Sequence, residues 1–146
     1  QMCIRDSLLG CRRRFSPLLN RPYRSSGEDH LAIGALGEKI AGAHLRADGR
    51  RLLYRNFRAP GGGEIDIVTR DGKTLGFVEV KTRTSEQFGR PLDAVDNKKK
   101  KLMQRGASEW LRLLGTRDLP WRFDVVEVIL LEGEKPRVKT VEDVTG

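Results

Sequence analysis

The sequence predicts an α/β domain in which a mixed β-sheet of about five strands is flanked by two long helices. Two segments show helical periodicity, one near residue 40 and one that ends near residue 114. Three β-rich runs lie between these segments, and two more follow the second. Such an order of helices and strands favours an α/β fold. A length of 146 residues suits one domain with a sizeable core, which we expect to span 30–146.

The first long helix is predicted from Leu31 to Asp48, with Gly49 just past its end, where glycine is common. Apolar residues recur at steps of three and four along two stripes, so the helix should be largely buried. A carboxylate inside such a stripe needs a partner or a proton. Glu38 therefore belongs to a site, or it lies at the edge of its stripe and reaches water. The stripes are Leu31, Gly34, Glu38, Ala41 and Leu45, and Ile33, Leu36, Ile40 and Ala43.

A strand from Arg51 to Phe57 and a connection from Arg58 to Gly63 lead into a predicted β-hairpin. The three glycines of the connection allow a ligand to approach closely, although a plain loop is the simpler interpretation. The hairpin strands are Glu64–Thr69 and Thr74–Lys81, and the sequence Asp71-Gly72 between them predicts a two-residue type I′ turn.

This turn would fix both the register and the two faces of the hairpin. It pairs Arg70 with Lys73, Asp66 with Phe77 and Glu64 with Glu79. Asp66 and Glu79 are then diagonal neighbours, with Cβ atoms roughly 7–8 Å apart or somewhat less. Because side chains alternate along a strand, one face carries Glu64, Asp66, Phe77, Glu79 and Lys81, and the apolar face that should meet the core carries Ile65, Ile67, Val78 and Val80.

The polar face of the hairpin is a candidate metal site. Two carboxylates at this separation can share one Mg²⁺ or Mn²⁺ at about 2.0–2.1 Å per oxygen. Lys81 is the only cation expected on the face. Glu-Val-Lys is a common tripeptide, and a solvated strand face is the alternative interpretation. The spacing Asp-x12-Glu-x-Lys with matching faces favours Asp66 and Glu79 as metal ligands.

A second long helix is predicted from Leu92 to Leu114, after a polar loop over 84–90. The run Lys98–Lys101 near its beginning opposes the helix dipole. Phosphates would favour these charges, and a solvated polar face is an equal alternative. The apolar stripe of this helix is Val95, Leu102, Met103, Gly106, Ala107, Trp110 and Leu114, and Lys98, Lys101, Arg105 and Arg112 lie on another side.

Two strands complete the predicted sheet. Trp121–Leu131 contains a nearly continuous apolar run, which suits a central strand covered on both faces. Arg137–Val141 is predicted as an edge strand.

Composition indicates which class of partner the protein binds and in which compartment it is found. The net charge of +8 makes nucleic acid the leading partner, ahead of an anionic membrane surface. No apolar run approaches the roughly 18 residues of a membrane span. Cys3 and Cys11 form no CxxC or Cys/His cluster, which favours a reducing compartment such as the cytoplasm and no zinc site.

The first 29 residues are predicted to form a basic, disordered tail outside the domain. They contain six Arg and only two acids before Asp29, with no clear period. An extension that is not native is the favoured interpretation. A transit peptide and a polyanion-binding arm are the alternatives.

Five short motifs occur in order between residues 34 and 131: Gly34-x-x-Gly37-Glu38-x-x-Ala41, Arg55-Asn56-Phe57-Arg58, Gly63-Glu64-Ile65-Asp66, Phe77-Val78-Glu79-Val80-Lys81-Thr82-Arg83 and Arg122-Phe123-Asp124-Val125-Val126. Together they resemble the YraN family of small bacterial proteins. That family is similar to the PD-(D/E)xK nucleases, close to archaeal Holliday-junction resolvases.

The resemblance implies a restriction-endonuclease-like core and a set of catalytic roles. Asp66 and Glu79 would bind the metal, Lys81 would orient or activate the attacking water, and Glu38 would be the helix-borne acid of the site. The superfamily's Pro before the Asp is replaced by Ile65, a change that the resolvase-like branch tolerates.

The resemblance also implies a metal-dependent endonuclease of the bacterial cytoplasm that hydrolyses phosphodiester bonds of DNA, with branched or structured DNA as one substrate class. Arg83, Lys98 and Lys101 are expected to hold the nucleic-acid backbone. A homodimer is expected, because two cuts need two sites. The alternative function is non-catalytic binding of DNA or RNA by a protein that keeps the fold.

Overall fold

The structure is a computed structural model that describes residues 16–27, 29–86, 96–116 and 118–144. The predicted order of helix, three strands, helix and two strands is confirmed. A short additional helix precedes it. The elements are α1 (Pro17–Asn20), α2 (His30–Ala47), β1 (Arg51–Arg58), β2 (Glu64–Asp71), β3 (Thr74–Arg83), α3 (Asn97–Leu114), β4 (Trp121–Ile129) and β5 (Arg137–Val141). The predicted first turn of the second long helix, 92–95, lies outside the described residues.

The five strands form one mixed sheet in the order β1-β2-β3-β4-β5. The pairs β1–β2, β2–β3 and β4–β5 are antiparallel, and β4 runs parallel to β3. Parallel neighbours need a long crossover, and α3 lies within it. The strand order places β3 and β4 in the interior of the sheet, which fits the apolar sequence of β4.

The sheet is covered by α2 on one face and by α3 on the other. The α2 side is built from Ile40, Ala41, Leu45, Ile67, Val78, Val126 and Val128, together with Tyr23 and Leu130. The α3 side is built from Phe57, Ile65, Val68, Phe77, Met103, Ala107, Leu111, Phe123 and Val125, together with Ala59 and Leu75. Among the described helices, none is both long and apolar enough to cross a lipid bilayer.

Side-chain caps begin both long helices. Asp29 accepts a hydrogen bond from the Ala32 N–H at 2.9 Å, and Asp96 accepts one from the Lys99 N–H at 2.7 Å. Leu31 and Leu114, which we predicted in the buried stripes, are 83% and 47% exposed. That part of the prediction is wrong, because both residues lie in terminal turns of their helices, away from the sheet.

The predicted hairpin register is wrong by one step on each strand. Asp71 pairs with Thr74, and the two-residue loop is Gly72-Lys73. Gly72 has a φ of 59°, as the first loop position of a type II′ turn requires. Asp71 is held in the strand because its carboxylate accepts a hydrogen bond from Arg122 Nη2 of β4 at 2.8 Å. A shift of one step on both strands leaves the face of each side chain unchanged.

Ile65 is a second correction. We predicted it on the same face as Ile67 and Val78, but it belongs to the cluster on the α3 side. The β2–β3 pairing ends at Ile67 and Val78. Beyond that point the beginning of β2 follows α3, where a Cβ atom added to Gly106 would lie 2.9 Å from Ile65 Cγ1.

Residues 16–27, which we assigned to the tail, pack against the domain. Tyr23 is 8% exposed and belongs to the α2-side core. Its N–H donates to the Glu134 carbonyl and its carbonyl accepts from the Gly133 N–H, both at 2.8 Å. The folded part of the chain thus begins earlier than the sequence predicts.

Candidate active site

The Asp66 side chain forms a hydrogen bond with the backbone of strand β3. Its Oδ2 atom accepts a hydrogen bond from the Val80 N–H at 2.8 Å, just past the end of the β2–β3 pairing. Val80 lies between Glu79 and Lys81, so this single bond holds Asp66 beside both residues. The site is therefore built where the two strands separate.

Glu79 is the buried centre of the site. It is 3% exposed, and Lys81 Nζ lies 3.1 Å from its Oε1 atom. Burial raises the pKa of Glu79 to about 7, and the charge of Asp66 adds to this effect while Lys99 and Lys81 oppose it. Its Oε2 atom is buried and accepts no hydrogen bond of good geometry, although Lys99 Nζ lies 3.0 Å away.

Lys99 is a site residue that the sequence interpretation missed. Its Nζ atom lies 2.5 Å from Glu64 Oε1 and 3.0 Å from Glu79 Oε2. The expectation that Lys81 is the only cation on this face is therefore wrong. A signal was present, because Lys99 precedes the buried Met103 and Gly106 by four and seven residues. Helical periodicity places it on the sheet-facing side of α3.

Glu38 reaches the same site from α2. Burial raises its pKa, and the charge of Asp66 raises it further. The nearby Asn56 side chain opposes this rise in the pKa of Glu38. Asn56 has a φ of 51°, which is uncommon for a residue other than glycine, and it falls opposite Asp66 in the β1–β2 register. Such conformations concentrate at functional sites, so Asn56 of the Arg55–Arg58 motif joins the candidate residues.

A contact between two glycines brings α3 to the acids. A Cβ atom added to Gly63 would lie 2.3 Å from the Gly106 backbone nitrogen. The two backbones therefore approach closely at Gly63, the residue directly before Glu64. This approach sets the Glu64 backbone against the middle of α3, and the Glu64 carboxylate meets the Lys99 ammonium from the first turn of this helix.

The three predicted nucleic-acid contacts lie in different surroundings. Arg83 Nε lies 2.8 Å from Glu127 Oε1, and both side chains are largely buried, so Arg83 is held within the sheet face. Lys98 and Lys101 are exposed. Lys101 lines a groove of about 500 Å³ between the β1–β2 connection and α3, whose other lining residues include Gly61, Gln104, Arg105, Ser108 and Arg112.

The donor set fits a hard divalent cation. Asp66 and Glu79 offer carboxylate oxygens, and Glu79 Oε2 lacks a well-aligned donor. Within the described ranges, no three His, Cys, Asp or Glu side chains are close enough together to hold a metal ion by themselves. Mg²⁺ commonly uses only one or two carboxylates, with water and phosphate oxygens completing its shell. Two protein ligands are therefore sufficient.

The fold and the site define a basic α/β domain with an acid–lysine cluster at one end of β2 and β3. A family model described as "Uncharacterised protein family UPF0102" matches residues 37–128. The chain belongs to this family, and the resemblance to the YraN family is confirmed.

Individual relatives cover most of the chain. A UPF0102 protein of Geobacter sulfurreducens is 40% identical over 120 residues, which is 82% of this chain and 93% of the relative. A UPF0102 protein of Beutenbergia cavernae is 44% identical over 113 residues, 77% of this chain and 95% of the relative. One from Alkaliphilus metalliredigens is 41% identical over 104 residues, 71% and 90% of the two chains.

Proposed function

We propose that this protein is a divalent-metal-dependent endonuclease that hydrolyses phosphodiester bonds of DNA, including branched or structured DNA. The observation that carries the proposal is the hydrogen bond between Asp66 and the Val80 N–H. It sets one acid of β2 beside the Glu-x-Lys element of β3, which is the arrangement that the PD-(D/E)xK resemblance implies. We propose a restriction-endonuclease-like core on the same grounds.

In this proposal Asp66 and Glu79 bind Mg²⁺ or Mn²⁺. When bound, the ion would polarise the scissile phosphate and lower the pKa of a water molecule. Lys81, whose ammonium is already fixed 3.1 Å from Glu79 Oε1, stabilises negative charge that develops on the phosphate. Glu38, with the Asn56 side chain nearby, contributes the acid on the α2 side.

The basic side of α3 would hold the DNA backbone. Lys98, Lys101 and Arg105 follow one another at steps of three and four, so they share a side of the helix. Seven residues of helix extend about 10 Å, roughly the rise of three nucleotides along one strand. Such contacts position DNA without reading its sequence.

Non-catalytic binding of DNA or RNA is the second candidate function. One observation favours it, because the ammonium groups of Lys81 and Lys99 already neutralise Glu79. A protein that only binds nucleic acid has no need of a metal in this position. The basic surface of α3 serves both functions equally, so binding alone does not separate them.

Incubation of the protein with linear, nicked, flapped and four-way DNA, with and without Mg²⁺ or Mn²⁺, tests the proposal. We expect metal-dependent cleavage of at least one substrate, and loss of that cleavage in Asp66→Asn. The Lys73→Ala variant is a suitable control, because Lys73 lies in the turn at the opposite end of the hairpin. Tight binding without cleavage of any substrate would favour the non-catalytic function. Light scattering of the same samples tests the expected homodimer.

A further inference from the structure

Lys99 interacts electrostatically with four acids drawn from three elements. Glu64 and Asp66 come from β2, Glu79 from β3 and Glu38 from α2. Its ammonium contacts two of them, at 2.5 Å from Glu64 Oε1 and 3.0 Å from Glu79 Oε2. The Lys99 side chain is only 18% exposed, and that of Glu79 is 3% exposed. The pair is thus shielded from bulk water.

The Lys99 ammonium acts as a counter-ion for these four carboxylates. Four carboxylates in one partly buried region repel each other, and a positive charge among them relieves that repulsion. Burial lowers the pKa of Lys99, but the hydrogen bond to Glu64 and the charges of Glu79 and Asp66 outweigh it and raise the pKa to about 12. Lys99 therefore stays charged at neutral pH.

We propose that Lys99 is a built-in competitor for the metal, whose ammonium must leave Glu79 before a divalent cation can bind there. The inference rests on the proposed function only through the metal ligands Asp66 and Glu79. An ion on Glu79 Oε2 would lie against the ammonium that is now 3.0 Å from this atom, and the two positive charges would repel each other. The acids can therefore be neutralised either by the Lys99 ammonium or by a divalent metal ion.

The geometry of α3 allows the exchange without refolding. The Lys99 backbone is fixed, because its N–H donates to the Asp96 cap at 2.7 Å. The four-carbon stem of lysine has several rotatable bonds, so the ammonium can move away while the helix stays in place. Glu64, which is the more exposed of the two partners, can keep the ammonium after Glu79 has released it.

Calorimetric titration of Mn²⁺ into wild type, Lys99→Met and Lys73→Met tests the inference without any measurement of cleavage. Methionine keeps the length of the stem and removes the charge. Coupling between two binding events commonly changes affinity by roughly 5- to 150-fold, so we expect Lys99→Met, which lacks the competing ammonium, to bind Mn²⁺ about tenfold more tightly or better. Lys73→Met is the control, since Lys73 is exposed in the turn at the opposite end of the hairpin from the acids, and it should bind as wild type does.

Thermal unfolding supplies a second readout. Without metal, Lys99→Met should melt below wild type, because the acids have lost their cation. Addition of Mn²⁺ should raise its melting temperature by more than that of wild type, since at a given concentration a ligand that binds more tightly stabilises the folded state more. Lys99→Gln gives the same comparison should the methionine variant fail to fold.

The outcomes separate this inference from the proposed function. If wild type binds Mn²⁺ and the Lys99 variants bind it equally or more weakly, the competitor role is overturned and the metal site stands. If folded wild type and folded Lys99 variants all fail to bind Mn²⁺ at millimolar concentration, the metal site fails and the inference fails with it. Tighter binding by Lys73→Met as well would assign the effect to general charge and also overturn the inference.

Discussion

Gly37 of α2 lies so close to Thr82 of β3 that there is no room for a side chain between them. A Cβ atom added to Gly37 would lie 1.8 Å from Thr82 Oγ1 and 2.8 Å from Thr82 Cβ. Rotation of the threonine side chain cannot relieve the second contact, because the Cβ atom does not move. The absence of a side chain at Gly37 therefore sets how near α2, and with it Glu38, approaches the sheet.

We predict that Gly37→Ala lowers the free energy of unfolding by about 1–3 kcal/mol, as overpacking of a core typically does. The helix must move outward, which also draws Glu38 away from Asp66. Urea denaturation measures the change. Gly34→Ala is the matched control on the same helix, since an added Cβ atom there meets nothing within 4 Å. It should be neutral or stabilising by up to about 1 kcal/mol, because alanine is the better helix former. Equal stability of the two variants would contradict the prediction.

A buried charge network at the other end of the sheet makes a second prediction. Asp124 is completely buried, and its Oδ2 atom lies 2.7 Å from Arg50 Nη1. Arg50 is 6% exposed. Asp124→Ala should cost about 3–5 kcal/mol of stability, because it leaves the buried guanidinium without its main partner. Chemical denaturation of the purified variant measures this cost.

Glu142→Ala is the control for this network. Its Oε1 atom lies 2.6 Å from Arg50 Nη2, but the Glu142 side chain is 56% exposed. Exposed ion pairs contribute about 0.2–1 kcal/mol, so the loss should be small. A cost for Glu142→Ala as large as that for Asp124→Ala would show that burial is not the decisive factor.

The Lys81→Ala variant distinguishes a nuclease from a protein that only binds DNA. Lys81→Ala should leave DNA affinity nearly unchanged, because Lys98 and Lys101 lie elsewhere, and it should leave Asp66 and Glu79 able to bind metal. The chemical step should slow by roughly a hundred- to a thousandfold, or about 2.7–4 kcal/mol, as expected for loss of one preorganised partner of the transition state. Single-turnover cleavage and Mn²⁺ titration measure the two effects.

Glu79→Ala completes the test of Lys81. It should reduce the rate at least as much, and it should weaken Mn²⁺ binding as well, because a ligand is lost. If Lys81→Ala cleaves DNA at the wild-type rate, Lys81 has no role in the reaction. If it loses DNA affinity by the same factor as rate, its role is binding.

Each of the exposed lysines Lys98 and Lys101 of α3 is predicted to contact one phosphate of the DNA. Lys98→Ala and Lys101→Ala should each weaken DNA binding about equally for all sequences. Each should also lower the slope of log affinity against log salt by roughly one. Fluorescence anisotropy over a range of salt concentrations measures the slope. Lys73→Ala, in the turn at the far end of the hairpin, should leave it unchanged. An unchanged slope in all three variants would make the lysine run ordinary solvated surface.

Much of the fold follows from local sequence. Apolar periodicity predicted both long helices, β-rich runs around Asp71-Gly72 predicted the hairpin, and the bounds of β5 match the predicted Arg137–Val141. The candidate site could be proposed from Asp66, Glu79 and Lys81 because face alternation within one hairpin depends only on neighbouring residues. Despite the register error, Glu79 lies on the α3 side of the sheet together with Phe77, as alternation along β3 predicts.

Tertiary contacts decided the rest. The hairpin register depends on Arg122, 51 residues from Asp71, and the position of Lys99 depends on Glu64, 35 residues away. Tyr23 joins the core through Gly133 and Glu134, and Arg83 is held by Glu127. Sequence periodicity reports which side of an element is apolar, but not which distant charge will meet it. Ion pairs of this kind form only after the sheet and helices have packed, so the structure alone shows that Lys99 lies among the acids.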